Sequence, residues 1–430
     1  MVGFYPSRMP ANWAASRGAA EVDVLVIAAL KEEYHAAKAV LGSTRWHEYG
    51  VGDAAPYSTG TYRTGTGETI SVALARPARM GGRGVSPIAT TLTDTLQPTC
   101  LAMCGVCAGN PGATAPGDVV VAAPAYEWDE GKQAGAVFRA DHQQFPQDSR
   151  WTRVVEDFDP AGLPSHGVAT DDEAEFWFLE RLYNGQNPRT HPARPRYFPR
   201  SSWSAGLGRL RAKSLIAWRD ARWVLTDAGR AHVERTWYDD VDGPDRLPFA
   251  VLAGPMASGS AVMADPAIWD RLQVSQRRIL ALEMEAATIA TIAHERQVPH
   301  WIVAKGVMDH ADPDKDDRFK AFAAKASAEV LFALLSTLLS RSATAPHPVA
   351  PAAEIPGAVK LEIVRRLAYD WQDLADLVGV PSYVTRTFRT GDEPRELWAW
   401  LENRRRLSDL EGALEDIGRT DLAHLLRPHV

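Results

Sequence analysis

The sequence is short of cysteine, of long apolar runs and of excess positive charge, and each shortage excludes something. Only three of its 430 residues are cysteine, all in one run at Cys100, Cys104 and Cys107, so a distributed disulfide framework is excluded. The longest apolar stretches, LAMCGVCAG and VLFALLSTLL, fall well short of the ~20 residues that cross a bilayer. The N-terminal stretch carries Pro, Asn and Arg where a secretory leader needs an uninterrupted apolar core. The expectation is therefore a cytoplasmic protein with no membrane contact. Lys plus Arg number 47 against 54 for Asp plus Glu, a formal net charge of −7. That balance gives no overall attraction for polyanions, so a nucleic-acid partner is not expected and any such binding must be local.

What remains is an ordinary globular composition, 45% hydrophobic and 23% charged, long enough for two domains. VDVLVIAAL from Val22 is a nearly continuous aliphatic run, as in a strand buried on both faces, and KEEYHAAKAVLG after it has helical spacing closed by Gly42. TISVALARP at 69–77 leads through the glycine-rich MGGRG to a helix expected from near Ser86 to before Pro98. TCLAMCGVCAG, GDVVVAAPAYEW at 117–128, LPFAVLAGPMASG around 247–253 and PHWIVAKGV read as further strands. Helices are expected from about Pro266, over MEAATIATIAHERQ, and from Arg318 to about Leu339. Strands alternating with helices predict an α/β sandwich around a mixed, largely buried sheet.

Two segments break that rhythm. Residues from about 133 to 247 are richer in Trp, Arg and Pro, and WSAGLGRLRAKSLIAWRDARWVLTDAGRAHVERTW has the cadence of helix, hairpin and helix, a winged-helix-like insertion. Arg209, Arg211, Lys213 and Arg219 would be its nucleic-acid or partner contacts; the plainer reading makes it a lid or oligomer contact, since basic residues on a helix are usually solvated. Residues 341–357 form a Pro/Ala-rich linker. Beyond it, residues 358–430 read as a small helical bundle with Leu361, Leu367, Trp371, Leu374, Leu397, Trp400, Leu401, Leu410 and Leu414 inside.

The spacing Cys-x-x-x-Cys-x-x-Cys matches cluster ligation in radical S-adenosylmethionine enzymes. Here, however, the cysteines alternate with Leu101, Ala102, Met103 and Val106 in what reads as a buried strand, which favours core packing over a metal-wrapping loop.

Five motifs read together say more. VLVIAALKEEYHAAKAV, MGGRGVSPIATTLTDTLQP, MCGVCAGNPGATAPGDVVVA, GPMASGSAVM and LEMEAATIATIAHERQVPHWIVAKGVMDHAD stand in the order and spacing of the nucleoside phosphorylase and nucleosidase superfamily. The pattern resembles methylthioadenosine/S-adenosylhomocysteine nucleosidases over about residues 22–130 and 247–340. The resemblance implies a three-layer sandwich over residues 1–340, interrupted by the insertion. It also implies cleavage of a purine N-glycosidic bond without metal or organic cofactor.

That chemistry passes through an oxocarbenium-like ribosyl cation, which carboxylates favour, and the departing purine needs a proton at N7. By resemblance Asp309 is the acid, Glu33, in the loop after the first strand, positions and deprotonates water, and Glu285 grips the ribose hydroxyls with Met284 beneath the sugar. SGSAVM places Val262 and Met263 against the base, where the family often has an aromatic. Cys107, Ala108 and Gly109 are placed at the sugar or phosphate. Departures at Met308 and Cys107, usually small hydroxyl residues in the family, leave the nucleoside open. The alternative to hydrolysis is phosphorolysis, with phosphate held by Arg83 and the backbone of a Gly105 to Gly109 turn; another is a catalytically silent nucleoside-sensing module.

WQDLADLVGV, FRTGDEPRELWAWLENR and LEGALEDIGRTDLAHLL resemble the death-like, effector-associated domains of bacterial conflict systems, over residues 358–430. This resemblance implies recruitment by a protein partner, one form of which would carry a like domain. The expected assembly is a homo-oligomeric enzyme that depletes a purine nucleoside or nucleotide as a defence effector.

Overall fold

The computed structural model describes residues 22–41, 46–50, 52–65, 67–135, 137–199, 202–240, 242–313, 317–339, 355–380, 385, 388–403 and 407–427. The chain divides into two compact units, Met1–Ala343 and Thr344–Val430. Most of the expected linker, residues 341–357, lies outside the described residues.

In the first unit the elements run β1 (Val24–Ile27), α1 (Lys31–Val40), β2 (His47–Tyr49), β3 (Tyr57–Arg63), β4 (Thr69–Ala75), α2 (Gly82–Leu96), β5 (Cys100–Gly109), β6 (Val119–Glu127), β7 (Gly131–Ala134), β8 (Val137–Ala140), β9 (Gln144–Phe145) and α3 (Ser149–Glu156). Next come α4 (Asp171–Tyr183), α5 (Arg194–Tyr197), α6 (Trp203–Ala212), β10 (Ile216–Arg219), β11 (Arg222–Leu225) and α7 (Asp227–Asp239). β12 (Val251–Ser258), α8 (Ile268–Ser275), β13 (Ala281–Glu283), α9 (Ala286–Glu295), β14 (His300–Asp309) and α10 (Lys320–Leu338) complete the unit.

The main sheet has the order β13-β12-β6-β14-β5-β1-β4-β3-β2. β1 lies parallel to both β4 and β5, and β14 parallel to β5, while β6 meets β14 antiparallel. β13 pairs with β12 on one side and with β5 on the other, which curls this part of the sheet into a closed ring of five strands. Alternation along β1, β5 and β14 feeds two cores. Leu25, Ile27, Leu101, Met103 and Val303 pack with α2 and α9 on one face. Val24, Val26, Ala102, Ile302 and Ala304 pack with α1, α3 and α10 on the other. The result is a three-layer α/β/α sandwich around a mixed central sheet.

α10 belongs to a segment, Asp317–Leu338, long and apolar enough to cross a membrane, but 72% of its apolar window is buried within the protein. Its apolarity answers the sheet it covers.

In several places the structure departs from expectation. α2 starts at Gly82, not near Ser86, and carries Pro87 inside it, at the cost of one i→i−4 bond. The strand expected at 247–253 is Val251–Ser258, since the preceding prolines and charges cannot join the ladder. Strands β2 and β3 extend the sheet antiparallel beyond β4; their polar, alternating residues carry no continuous apolar signal.

The insertion has its own small core, in which Trp177, Phe178, Phe198, Leu210, Ile216 and Val233 bring together α4, α6, the β10–β11 hairpin and α7. α4 opens with a capping box in which Thr170 and Glu173 serve each other's backbone N–H. Of the basic residues singled out there, Arg209 pairs with Glu175 and Asp171, and Lys213 with Glu175 and Asp172. Arg211 stacks on Trp223 and Arg219 is exposed in β10. Arg209 and Lys213 therefore tie α6 to α4 and present little free charge.

The second unit is all-helical, with α11 (Gly357–Leu367), α12 (Trp371–Leu377), α13 (Glu393–Asn403), α14 (Leu410–Asp416) and α15 (Thr420–Leu426). Ile363, Leu367, Leu374, Leu397, Trp398, Leu401, Leu410, Leu414, Leu422 and Leu426 form its core. Leu361 is 42% exposed, because α11 turns Ile363 and Leu367 inward and a residue two positions before Ile363 falls on the far side. Trp400 is only partly buried and Trp398 takes the interior place. Leu414 is fully buried, so Leu414→Ala is expected to destabilise this bundle by about 2–5 kcal/mol. Native-state hydrogen exchange checks this: α14 and α15 amides should lose protection while β5 amides keep theirs.

Candidate active site

Parallel strands end their carbonyl edges together, and α/β sheets place ligands there. β1, β5 and β14 deliver to that edge the loop before α1, the run Val106–Ala108 and the pair Met308–Asp309. β12 and β13 add the segments after Ser258 and after Glu283. A cavity of about 250 Å³ opens among them, lined by Glu33, Cys107, Ala108, Val262, Met263, Met284, Glu285 and Asp309, together with Met80 and Met308.

Glu33 is the third residue of α1, not part of a loop. Its carboxylate accepts the Leu30 N–H at 2.8 Å and the Val106 N–H at 2.9 Å, so the start of α1 is tied to the middle of β5. Gly105 makes this possible: a Cβ there would overlap the Glu33 carboxylate. Burial pushes the Glu33 carboxyl above its ordinary range, and the Lys305 ammonium with the two N–H donors only partly offsets it.

Lys305 is a residue that sequence reasoning missed. It is 1% exposed in β14, with Nζ 2.9 Å from Glu285 and 3.1 Å from Glu283. Burial alone would discharge it, but Glu285, Glu283 and Glu33 outweigh that and keep its pKa above the ordinary value. Burial likewise opposes ionisation of Glu285, yet Lys305 and the Gly81 N–H at 2.7 Å hold this carboxyl below the usual range. Glu283, also missed as a participant, shifts the other way: burial raises it despite Lys305. It accepts from Ser258 Oγ at 2.6 Å and from the backbone N–H groups of Glu285 and Ala286, capping α9. The signal that could have found Lys305 is a lysine inside the apolar strand WIVAKGV, where a solvated face does not explain it.

Asp309, the last residue of β14, is 8% exposed and accepts the Ala311 N–H at 2.7 Å. A second chamber of about 560 Å³ shares Met308 and Asp309 with the first and is walled by the insertion through Glu180, Arg181, Tyr183 and Trp237. His310 lines this chamber, its Nδ1 2.6 Å from the Gly109 carbonyl. Burial lowers the His310 pKa, so the neutral ring donates Nδ1–H to that carbonyl.

Two expected binding residues are elsewhere. Arg83 is exposed on the first turn of α2 and is not among the residues lining the cavity. Gly109 is not in a turn: residues 100–109 are all strand, where Gly109 pairs with Ala281 and its C=O serves His310. The cysteines split between faces. Cys100 and Cys104 enter one core and Cys107 the other, so three thiolates do not converge on one cluster. Burial raises all three thiols, Cys104 to about 12.

Comparison with known proteins gives two family matches. Residues 219–340 match the Phosphorylase superfamily, and residues 357–429 match Bacterial Death-like domain 3. The uncharacterized protein y4jS of Sinorhizobium fredii is 24% identical over 75% of this chain and 63% of its own length. A 5'-methylthioadenosine/S-adenosylhomocysteine nucleosidase of Glaesserella parasuis is 30% identical over 21% of this chain and 41% of its own. The chain thus spans less than two thirds of these curated relatives. Among solved structures, the 5'-methylthioadenosine/S-adenosylhomocysteine nucleosidase of S. pneumoniae with a transition-state inhibitor is 19% identical, covering 73% of this chain and 99% of that one at a TM-score of 0.45.

Replacing Lys305 by Met leaves Glu283 and Glu285 buried without their cation. Lys305→Met is expected to destabilise the first unit by about 3–5 kcal/mol, read as a lower denaturation midpoint by near-UV circular dichroism.

Proposed function

We propose that the protein is a purine nucleosidase that hydrolyses the N-glycosidic bond of an adenine-type nucleoside or nucleotide. The observation that carries this is one cavity lined by Glu33, Glu285 and Asp309. Glu285, kept ionised by Lys305, is suited to accept two vicinal ribose hydroxyls. Met284 offers an apolar floor to the sugar, and Val262 and Met263 an apolar wall to the base. Glu33 takes a proton from water as the oxygen adds to the anomeric carbon, and its raised pKa suits a base working near neutrality. Asp309 gives a proton to N7, so the C–N bond breaks with the electron pair leaving on a neutral purine.

Two observations support water over phosphate. Arg83 is not among the residues lining the cavity, and Lys305, buried beside it, is already balanced by two carboxylates, which leaves Lys320 as the cation in the lining. We place the reaction in the cytoplasm of a bacterium. There the enzyme would act as a homo-oligomeric defence or signalling effector, recruited by a protein partner through residues 358–430. The match of residues 357–429 to a death-like domain supports that role.

Incubation with a panel of nucleosides and nucleotides, with and without phosphate, is expected to release free purine in both conditions, read by chromatography. Release only with phosphate would replace hydrolysis by phosphorolysis, and no release at all would leave a binding module. Asp309→Asn should lose about 100-fold or more in turnover with unchanged circular dichroism; full activity would identify another acid.

A base acts only when ionised, and Glu33 titrates above the ordinary 4.5 of a glutamate. Turnover should therefore fall as pH drops through that raised value, and Glu33→Gln should abolish the pH-dependent limb along with most activity. A rate unchanged down to pH 4.5 would remove Glu33 from this role.

A further inference from the structure

A concavity of the insertion shares no lining residue with the cleavage cavity. It measures about 950 Å³ and is walled by Trp203, Trp218 and Trp223 together with Arg189, Arg222 and Arg230, with no acidic residue in its lining. Trp218 is 58% exposed and meets Trp223 edge to face at 5.0 Å. A fourth lining arginine, Arg194, holds its guanidinium 6.0 Å from the Trp203 ring centre. Among the described residues none of these four arginines is ion-paired, whereas Arg209 and Lys213 of the same insertion are answered by Glu175 and its acidic neighbours. In a chain of net charge −7, four guanidiniums without a carboxylate partner around three indole rings form a local exception, Arg194 lying over Trp203 and Arg230 over Tyr183.

We propose that this cavity binds a nucleoside polyphosphate, with the base stacked on the tryptophans and the phosphates on the arginines. Both halves of the ligand have a counterpart: indole faces stack any base, and guanidinium forks match phosphate oxygens bidentately. The size agrees, since small-ligand sites run to about 1,000 Å³. A single nucleic-acid strand fits less well, because tracking a backbone needs a basic groove along the surface. The neighbouring helix α6 has its Arg209 and Lys213 neutralised. The site shares no lining residue with the cleavage cavity, although Gln186 also lines the chamber beside Asp309, and it does not depend on the nucleosidase reading.

The test uses the full chain carrying Asp309→Asn, with ATP as the probe, followed by calorimetry and tryptophan fluorescence. ATP is expected to quench the fluorescence and to bind at least about tenfold more tightly than adenosine, with affinity falling as salt rises. Adding Trp218→Ala, or Arg222→Ala with Arg230→Ala, should each weaken ATP binding about tenfold or more while circular dichroism stays unchanged. Undetectable ATP binding overturns the proposal, as does ATP binding that is indifferent to both sets of substitutions, which would locate the nucleotide elsewhere. Tighter binding of an oligothymidylate than of ATP overturns it in favour of a single-strand surface. Base release by the unsubstituted chain is read separately, so failure here and failure of the nucleosidase reading are distinguishable.

Discussion

The interaction on which the site depends is the buried contact of Lys305 with Glu283 and Glu285. Three charges in a desolvated place hold together only as a set. The lysine offsets the cost of burying two carboxylates, and the glutamates keep the lysine charged. The set also fixes the backbone: Glu283 caps α9 and Glu285 holds the Gly81 N–H at the entry to α2. One ammonium on β14 thereby joins β13, α9 and the turn before α2 around the cavity. Removing a charge from it would disturb geometry as much as electrostatics.

The insertion gives this scaffold its individuality. It carries its own aromatic core, yet α4 and α7 also wall the chamber beside Asp309. A segment that folds around itself and still closes one side of the cleft can alter what enters it without changing the sheet. The basic residues that look most available in the sequence, Arg209 and Lys213, are engaged with α4. Four arginines without a carboxylate partner line a cavity with three tryptophans instead.

Much of the architecture was legible because buried parallel strands declare themselves as unbroken aliphatic runs. VLVI, TISVALA and the apolar run of β14 all sit where their composition puts them. Strands β2 and β3 were not legible, since an edge hairpin with one polar face lacks that signal. Ser86 misled as a helix start because a cap-forming residue can equally lie within the first turns, and Leu361 misled because local apolarity does not say which face a short helix buries.

For the site, motif order was enough to nominate Glu33, Glu285, Asp309, Met284, Val262 and Met263, and the fold gathers all six around one cavity. By itself the sequence determined the alternation of strands and helices, the interrupted first unit and the helical second, because hydrophobic periodicity is a local property of the chain. Only tertiary structure decided that Glu33 hangs from Val106, that Lys305 lies between two glutamates and that Arg83 is not in the cavity lining. Residues from 33 to 309 meet there through strand order, and the protonation of each depends on burial and neighbouring charge, which no linear spacing specifies.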